Sequence, residues 1–185
     1  MRTRIPAYLL LACCLAPAAQ AQNFLQKLND KLTKASNALS GNGSQSLGAE
    51  AAHPTSQQLQ QLADALNAPG KPPQVQPMYE EARKTIGDLL LVTSCDFTQG
   101  GKQLVPFVAT GVWVNSYVSP VLTMSHHSRS QCLDVKRVDG WQAKAKNSFH
   151  FRTLYVSAQS GESATKSYDL TRQPDGTWLV SEYSY

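Results

Sequence analysis

Alternation of apolar and polar positions is clearest at the C-terminal end. Three stretches rich in aromatic and β-branched residues, Phe149 to Ser157, Ser163 to Thr171 and Thr177 to Tyr183, are separated by Gln159-Ser160-Gly161-Glu162 and Gln173-Pro174-Asp175-Gly176. Runs of this kind, bounded by Gly, Pro, Asp and Ser, predict strands joined by tight turns. Pro174 presets φ and Gly176 accepts positive φ, so the last two stretches predict a bulged hairpin. Upstream, Cys132-Leu133-Asp134-Val135 opens a further strand that Asp139-Gly140 should end, and a weaker strand passes through Val121, Leu122 and Met124. On the middle strand Phe149, Phe151 and Tyr155 share one face, and Leu154, Val156 and Ala158 the other, which predicts a central strand covered on both sides. Ser163, Thr165, Ser167, Asp169 and Thr171 make one polar face, so their strand should have a wet side.

Before the strands the period changes. Leu25, Leu28, Leu32, Ala35 and Leu39 recur at spacings of three and four among lysines, which predicts an amphipathic helix able to dock, or to assemble copies, through residues 22–39. Ser40 to Pro54 holds almost no large apolar side chain and reads as a linker. A short helix follows, with Thr55 and Gln58 as a capping box and Leu59, Leu62, Ala63 and Leu66 as its stripe, stopped by Pro69-Gly70. Lys71 to Pro77 reads as an extended spacer. From Pro77 the stripe Met78, Ala82, Ile86, Leu89 and Leu90 predicts a helix to about Thr93, the best candidate to cover the sheet. Gln103 to Ala109 predicts a short helix and Val112 to Tyr117 a short edge strand.

Met1-Arg-Thr-Arg4, the apolar run Ile5 to Leu15 and Ala19-Gln20-Ala21 have the charged start, short apolar core and small-residue cleavage site of an export signal. The expected division is therefore a signal at 1–21, a helix–linker–helix segment at 22–76 and a folded domain at 77–185, in a periplasmic or secreted protein. Leu10-Leu11-Ala12-Cys13 resembles a lipoprotein box, yet the complete Ala-x-Ala site after it fits better. No apolar run is long enough for a membrane span. Losing Arg2 and Arg4 with the signal halves the formal charge of +4, so the basic balance does not point to nucleic acid. Cys95 and Cys132 remain, and in an oxidising compartment they are expected to pair.

No motif for a cofactor, metal or catalytic centre emerges. Ser163-Ala-Thr-Lys166 matches the S-x-x-K pattern of penicillin-binding-type acyl transferases, whose Ser and Lys meet one turn apart on a helix. On a strand the odd spacing sends them to opposite faces, and the companion S-D-N and K-T-G patterns are absent. Gly100-Gly101-Lys102 lacks the first Gly and the Ser or Thr of a phosphate-binding loop. His126 and His127 lie next to each other and so face opposite ways on an extended chain, with His150, Asp134 and Tyr155 as possible polar partners. From His126 to Arg152 the cations Arg129, Lys136, Arg137, Lys144, Lys146 and Arg152 outnumber Asp134 and Asp139, with Trp141, Phe149 and Phe151 interleaved. A face of that kind suits an anionic ligand or a protein partner.

A helix followed by an antiparallel meander of four to five strands curved against it, an α+β fold, resembles in element order the cystatin-like and NTF2-like architectures. Those architectures host many functions, so the resemblance implies no site. The expectation is an exported, non-enzymatic binding domain, with ligand contacts drawn from His126, His127, Arg129, Lys136, Arg137, Trp141, His150 and Arg152. Its alternatives are a small enzyme with a pocket between helix and sheet, using one of those histidines, and an assembly factor working through the N-terminal helix.

Overall fold

The computed structural model describes residues 52–95, 102–112, 120–128 and 130–184. The expected export signal, the expected helix at 25–39, Arg129 and most of the 112–117 stretch lie outside these residues. Two helices, α1 (Ser56–Asn67) and α2 (Gln76–Cys95), precede the strands β1 (Asp134–Ala145), β2 (Ser148–Val156), β3 (Ser163–Arg172) and β4 (Trp178–Ser184), with 3-10 segments at Lys102–Phe107 and Pro120–Thr123. Each strand pairs antiparallel with the next in the order β1-β2-β3-β4, giving an α+β fold with an open four-stranded meander.

α1 starts where the capping box places it. The Thr55 hydroxyl accepts the Gln58 N–H at 3.2 Å, and the Gln58 side-chain carbonyl accepts the Thr55 N–H at 2.9 Å. Its buried stripe of Leu59, Leu62, Ala63 and Leu66 docks the helix in the same body as the sheet, and Gln58 reaches over to donate to the Cys132 carbonyl at 2.8 Å. At the far end the Lys71 ammonium donates to the Leu66 and Ala68 carbonyls at 2.8 and 2.9 Å, satisfying acceptors that a helix C-terminus leaves open. The expected extended spacer at 71–77 is instead a turn. Val75 and Gln76 both donate to the Pro72 carbonyl, and Val75 is fully buried, so the chain bends straight into α2.

α2 covers one face of the sheet along its whole length. Tyr79, Ala82, Ile86, Leu89 and Leu90 are buried against Val135, Val138, Trp141, Phe149, Phe151, Tyr155, Tyr168, Leu170, Trp178 and Val180. The Tyr79 ring meets Trp141 edge-on at 5.3 Å, Trp141 stacks on Phe151 at 5.2 Å, and Phe151 on Tyr168 at 5.3 Å. Rings of this size bury the most apolar area per residue, and each offset or edge-on pair adds about 0.5–1.5 kcal/mol. At the C-terminal end Thr93 Oγ1 donates to the Leu89 carbonyl and accepts from the Tyr155 hydroxyl at 2.8 Å, which in turn lies 3.0 Å from the Tyr168 hydroxyl. Two residues on, Cys95 is disulfide-bonded to Cys132, with Cα atoms 4.4 Å apart and a sequence separation of 37. Closing a loop of that length stabilises the fold by about 4 kcal/mol on the chain-entropy account.

Three further expectations are corrected. β1 does not stop at Asp139-Gly140: Gly140 takes φ +67° inside a bulge between Asp139 and Gln142, and the strand resumes to Ala145. The stretch through Val121 and Leu122 is a 3-10 turn opened by Pro120. β2 is interior to the sheet but covered on one side only. Phe149, Phe151, Thr153 and Tyr155 are buried, while His150, Leu154 and Val156 are half-buried and Arg152 exposed, because no described element lies over that face. At the far edge Val108 bridges Val180 in parallel, and the Ala109 N–H donates to the Val180 carbonyl at 2.9 Å.

Candidate functional site

The sheet face turned away from α2 carries most of the charged side chains of the strands themselves. Register places Gln142, His150, Asp169 and Glu182 side by side across all four strands, and Asp139, Arg152, Ser167 and Ser184 in the next row. Residues two apart on a strand share a face, so both rows project outward together. This alignment depends on the β1 bulges and on the shift between Asp169 and Leu170, which bring the edge strands into step with the two inner ones.

Asp169 is the hub of the first row. His150 Nδ1 lies 2.5 Å from Asp169 Oδ1 and Lys144 Nζ lies 3.8 Å from Oδ2. A carboxylate oxygen accepts, so the ring nitrogen Nδ1–H donates in this contact and Nε2 is the nitrogen turned away from Asp169. Both side chains are about four-fifths covered, at 20% and 17% exposure. A shallow depression of about 100 Å³ opens beside them, lined by Lys144, Ser167, Glu182 and Ser184 among others. In the second row Asp139 takes Arg137 Nε at 2.6 Å and Arg152 Nη2 at 3.1 Å. The Arg152 side chain lies over Gly140, where an added Cβ would come within 2.6 Å of its Nε.

The remaining sequence-derived candidates do not join this site. His126 is exposed and its ring and backbone N–H both meet Glu162, at 3.0 and 2.8 Å. Those contacts, the backbone N–H first, hold the Glu162 carboxyl below its ordinary range. His127 is buried: its Nε2–H donates to the Gln131 carbonyl at 2.8 Å, and its Nδ1 accepts from the Ser157 hydroxyl at 2.9 Å. Both of its nitrogens therefore pin the loop ahead of β1. Lys136 pairs with Asp134 at 2.8 Å, beside the Gln58 amide. Trp141 sits in the aromatic core with Lys71 above its ring at 5.1 Å. Thus His150, Arg137 and Arg152 share the outer face, whereas His126, His127 and Trp141 each serve elsewhere.

Asp169 and Ser167 belong to the polar face that alternation marked on β3. Glu182 gave no signal, because its place in the row depends on register across a bulge. In the sequence Lys166 stands out only through the S-x-x-K pattern, whose odd spacing sends it to the face opposite Ser163; its burial is what the pattern did not show. It is 2% exposed on the core face of β3, opposite Thr153, and burial lowers its pKa to about 8. Ser163, its partner in the S-x-x-K pattern, is exposed on the other face. Among the described residues no group of three or more His, Cys, Asp or Glu side chains is arranged to hold a metal ion, and no helix is long and apolar enough to cross a membrane. Comparisons with family models, with curated proteins and with solved structures give no match.

Proposed function

We propose that the protein is an exported binding domain that recognises another protein through the uncovered face of its sheet, centred on the His150–Asp169 pair. The observation that carries this reading is the asymmetry of the sheet. One face is sealed by α2 over a continuous aromatic core, while on the other none of the residues of β2 and β3 is buried and charges of both signs stand in register. Prepositioned charges favour specificity and association rate over raw affinity, and non-obligate interfaces are about as polar as ordinary surface. Half-buried Leu154 and Val156 beside Arg152 supply the apolar component. In element order the domain is similar to cystatin-like and NTF2-like architectures, and the Cys95–Cys132 bond suits an oxidising compartment.

The test is capture of a partner from the cell envelope by the mature chain, followed by affinity measurements with surface variants. Arg152→Glu and Thr165→Arg on the outer face should weaken binding about tenfold or more, while Lys84→Glu on the exposed side of α2 leaves it unchanged. Loss with Lys84→Glu and not with the sheet variants, or no partner at all, overturns the reading. A second reading has one observation in its favour: Asp169 orients His150 with Nε2 free to act as a general base. In that case His150→Gln abolishes turnover of a substrate that the mature chain otherwise converts.

A further inference from the structure

A second cavity lies away from the outer face, where the first turns of α2 meet the β1–β2 turn and the start of β4. It is an open cleft of about 380 Å³ lined by Met78, Glu81, Lys146, Asn147, Arg172 and Trp178. That volume is within the range of pockets that take small molecules. Its chemistry is uneven. Lys146 has no carboxylate partner among the described residues. The one carboxylate present, Glu81, places a single oxygen, Oε2, 3.3 Å from Arg172 Nε and 3.4 Å from the Trp178 indole nitrogen. Both distances are at the long end for such contacts, and the ion pair is half exposed, so little holds Glu81 there. The floor is apolar: Trp178 is 4% exposed and Met78 is half-buried beside it.

We propose that this cleft binds a small amphiphilic organic anion, whose carboxylate or phosphate takes the position that Glu81 Oε2 now occupies between Arg172 and Trp178, with Lys146 on the wall of the same cleft, and whose apolar body rests on Met78 and the Trp178 edge. Glu81 is a tethered stand-in for the ligand's head group. It marks where an anion fits and competes with one that arrives. The two cations exceed the one carboxylate, so an incoming monoanion neutralises the site, whereas an amine of the same shape meets repulsion from Lys146 and Arg172. The inference is independent of the outer-face reading, since the two surfaces share no residue.

The experiment follows the Trp178 indole N–H resonance while the intact chain is titrated with 4-phenylbutyrate, phenyl phosphate and 4-phenylbutylamine. Binding of either anion should shift that resonance saturably, the amine should leave it in place, and the stronger of the two anions identifies the head group. Arg172→Gln and Lys146→Gln should each weaken anion binding about tenfold, in keeping with the loss of one charge-assisted contact. Glu81→Gln should tighten it several-fold, because the competing charge is gone while the shape remains. A purely structural Glu81 predicts the opposite sign. Equal response to the amine, no saturable shift with either anion, or weaker binding in Glu81→Gln overturns the proposal.

Discussion

Gly140 and Lys166 are the two positions where single side chains constrain the domain most tightly. Gly140 combines φ +67° with the Arg152 side chain packed against the space a methyl would fill. Gly140→Ala should therefore strain the backbone and displace Arg152 from Asp139, lowering stability by about 2 kcal/mol. Chemical denaturation reads that loss, and a rescuing Arg152→Ala background should recover the part due to the clash alone. Lys166 acts through its proton. Burial lowers its pKa from 10.5 to about 8, below that of the unfolded chain, so between those values the unfolded chain holds the extra proton and stability rises with pH. Discounted for a side chain whose ammonium is only partly desolvated, the rise is on the order of 1–2 kcal/mol. Lys166→Met should flatten the pH dependence of the denaturation midpoint over that window, whatever it does to stability at neutral pH.

At the scale of elements, α1 is held at both ends by side chains, and its start couples local to long-range structure. Thr55→Ala removes the N-cap acceptor and should cost about 1 kcal/mol. Gln58→Ala should cost more, since Gln58 also donates to the Cys132 carbonyl and to Asp134 Oδ1, and a half-buried carbonyl would lose its partner. Urea midpoints of the two variants check the order. The capping box was legible in sequence because its geometry is local, as were the Pro174-Asp175-Gly176 hairpin and the α2 stripe. Pairing of Cys95 with Cys132 followed from there being no other cysteine beyond the expected signal. What failed was tertiary. Asp139-Gly140 has the composition of a strand end, and only Arg152 on the neighbouring strand shows why the chain bulges and continues. Leu154 and Val156 suggest a covered face, yet coverage depends on which elements exist to lie there. The outer row was half visible: alternation marked Ser167 and Asp169, and His150 was singled out, but their union with Glu182 required the register of three pairings. Strand alternation puts Lys166 on the face opposite Ser163, but the usual rule that lysine stays outside hides its burial in the core.

For the whole molecule, the buried hydroxyls set the alkaline limit. Burial pushes Tyr79 and Tyr168 up to about 12, and Tyr155 well above its ordinary value. Once the unfolded chain ionises its tyrosines near pH 10, the folded chain holds the extra protons and stability falls. Combined with Lys166, and with the lowered pKa that burial gives Lys71, this predicts that stability climbs from about pH 8, peaks near pH 10 and declines above it. Thermal melts across that range check the shape, and a maximum near neutrality would contradict it. The Cys95–Cys132 bond has a consequence of another kind. It joins the last residue of α2 to the threshold of β1, so everything between them is a covalent ring, and the helix and sheet are connected twice. A protease that cuts once inside residues 96–131 therefore opens the ring without separating the molecule. The nicked protein should run as one band unreduced and as two after reduction, and it should keep its aromatic core, because helix and sheet stay joined through the disulfide.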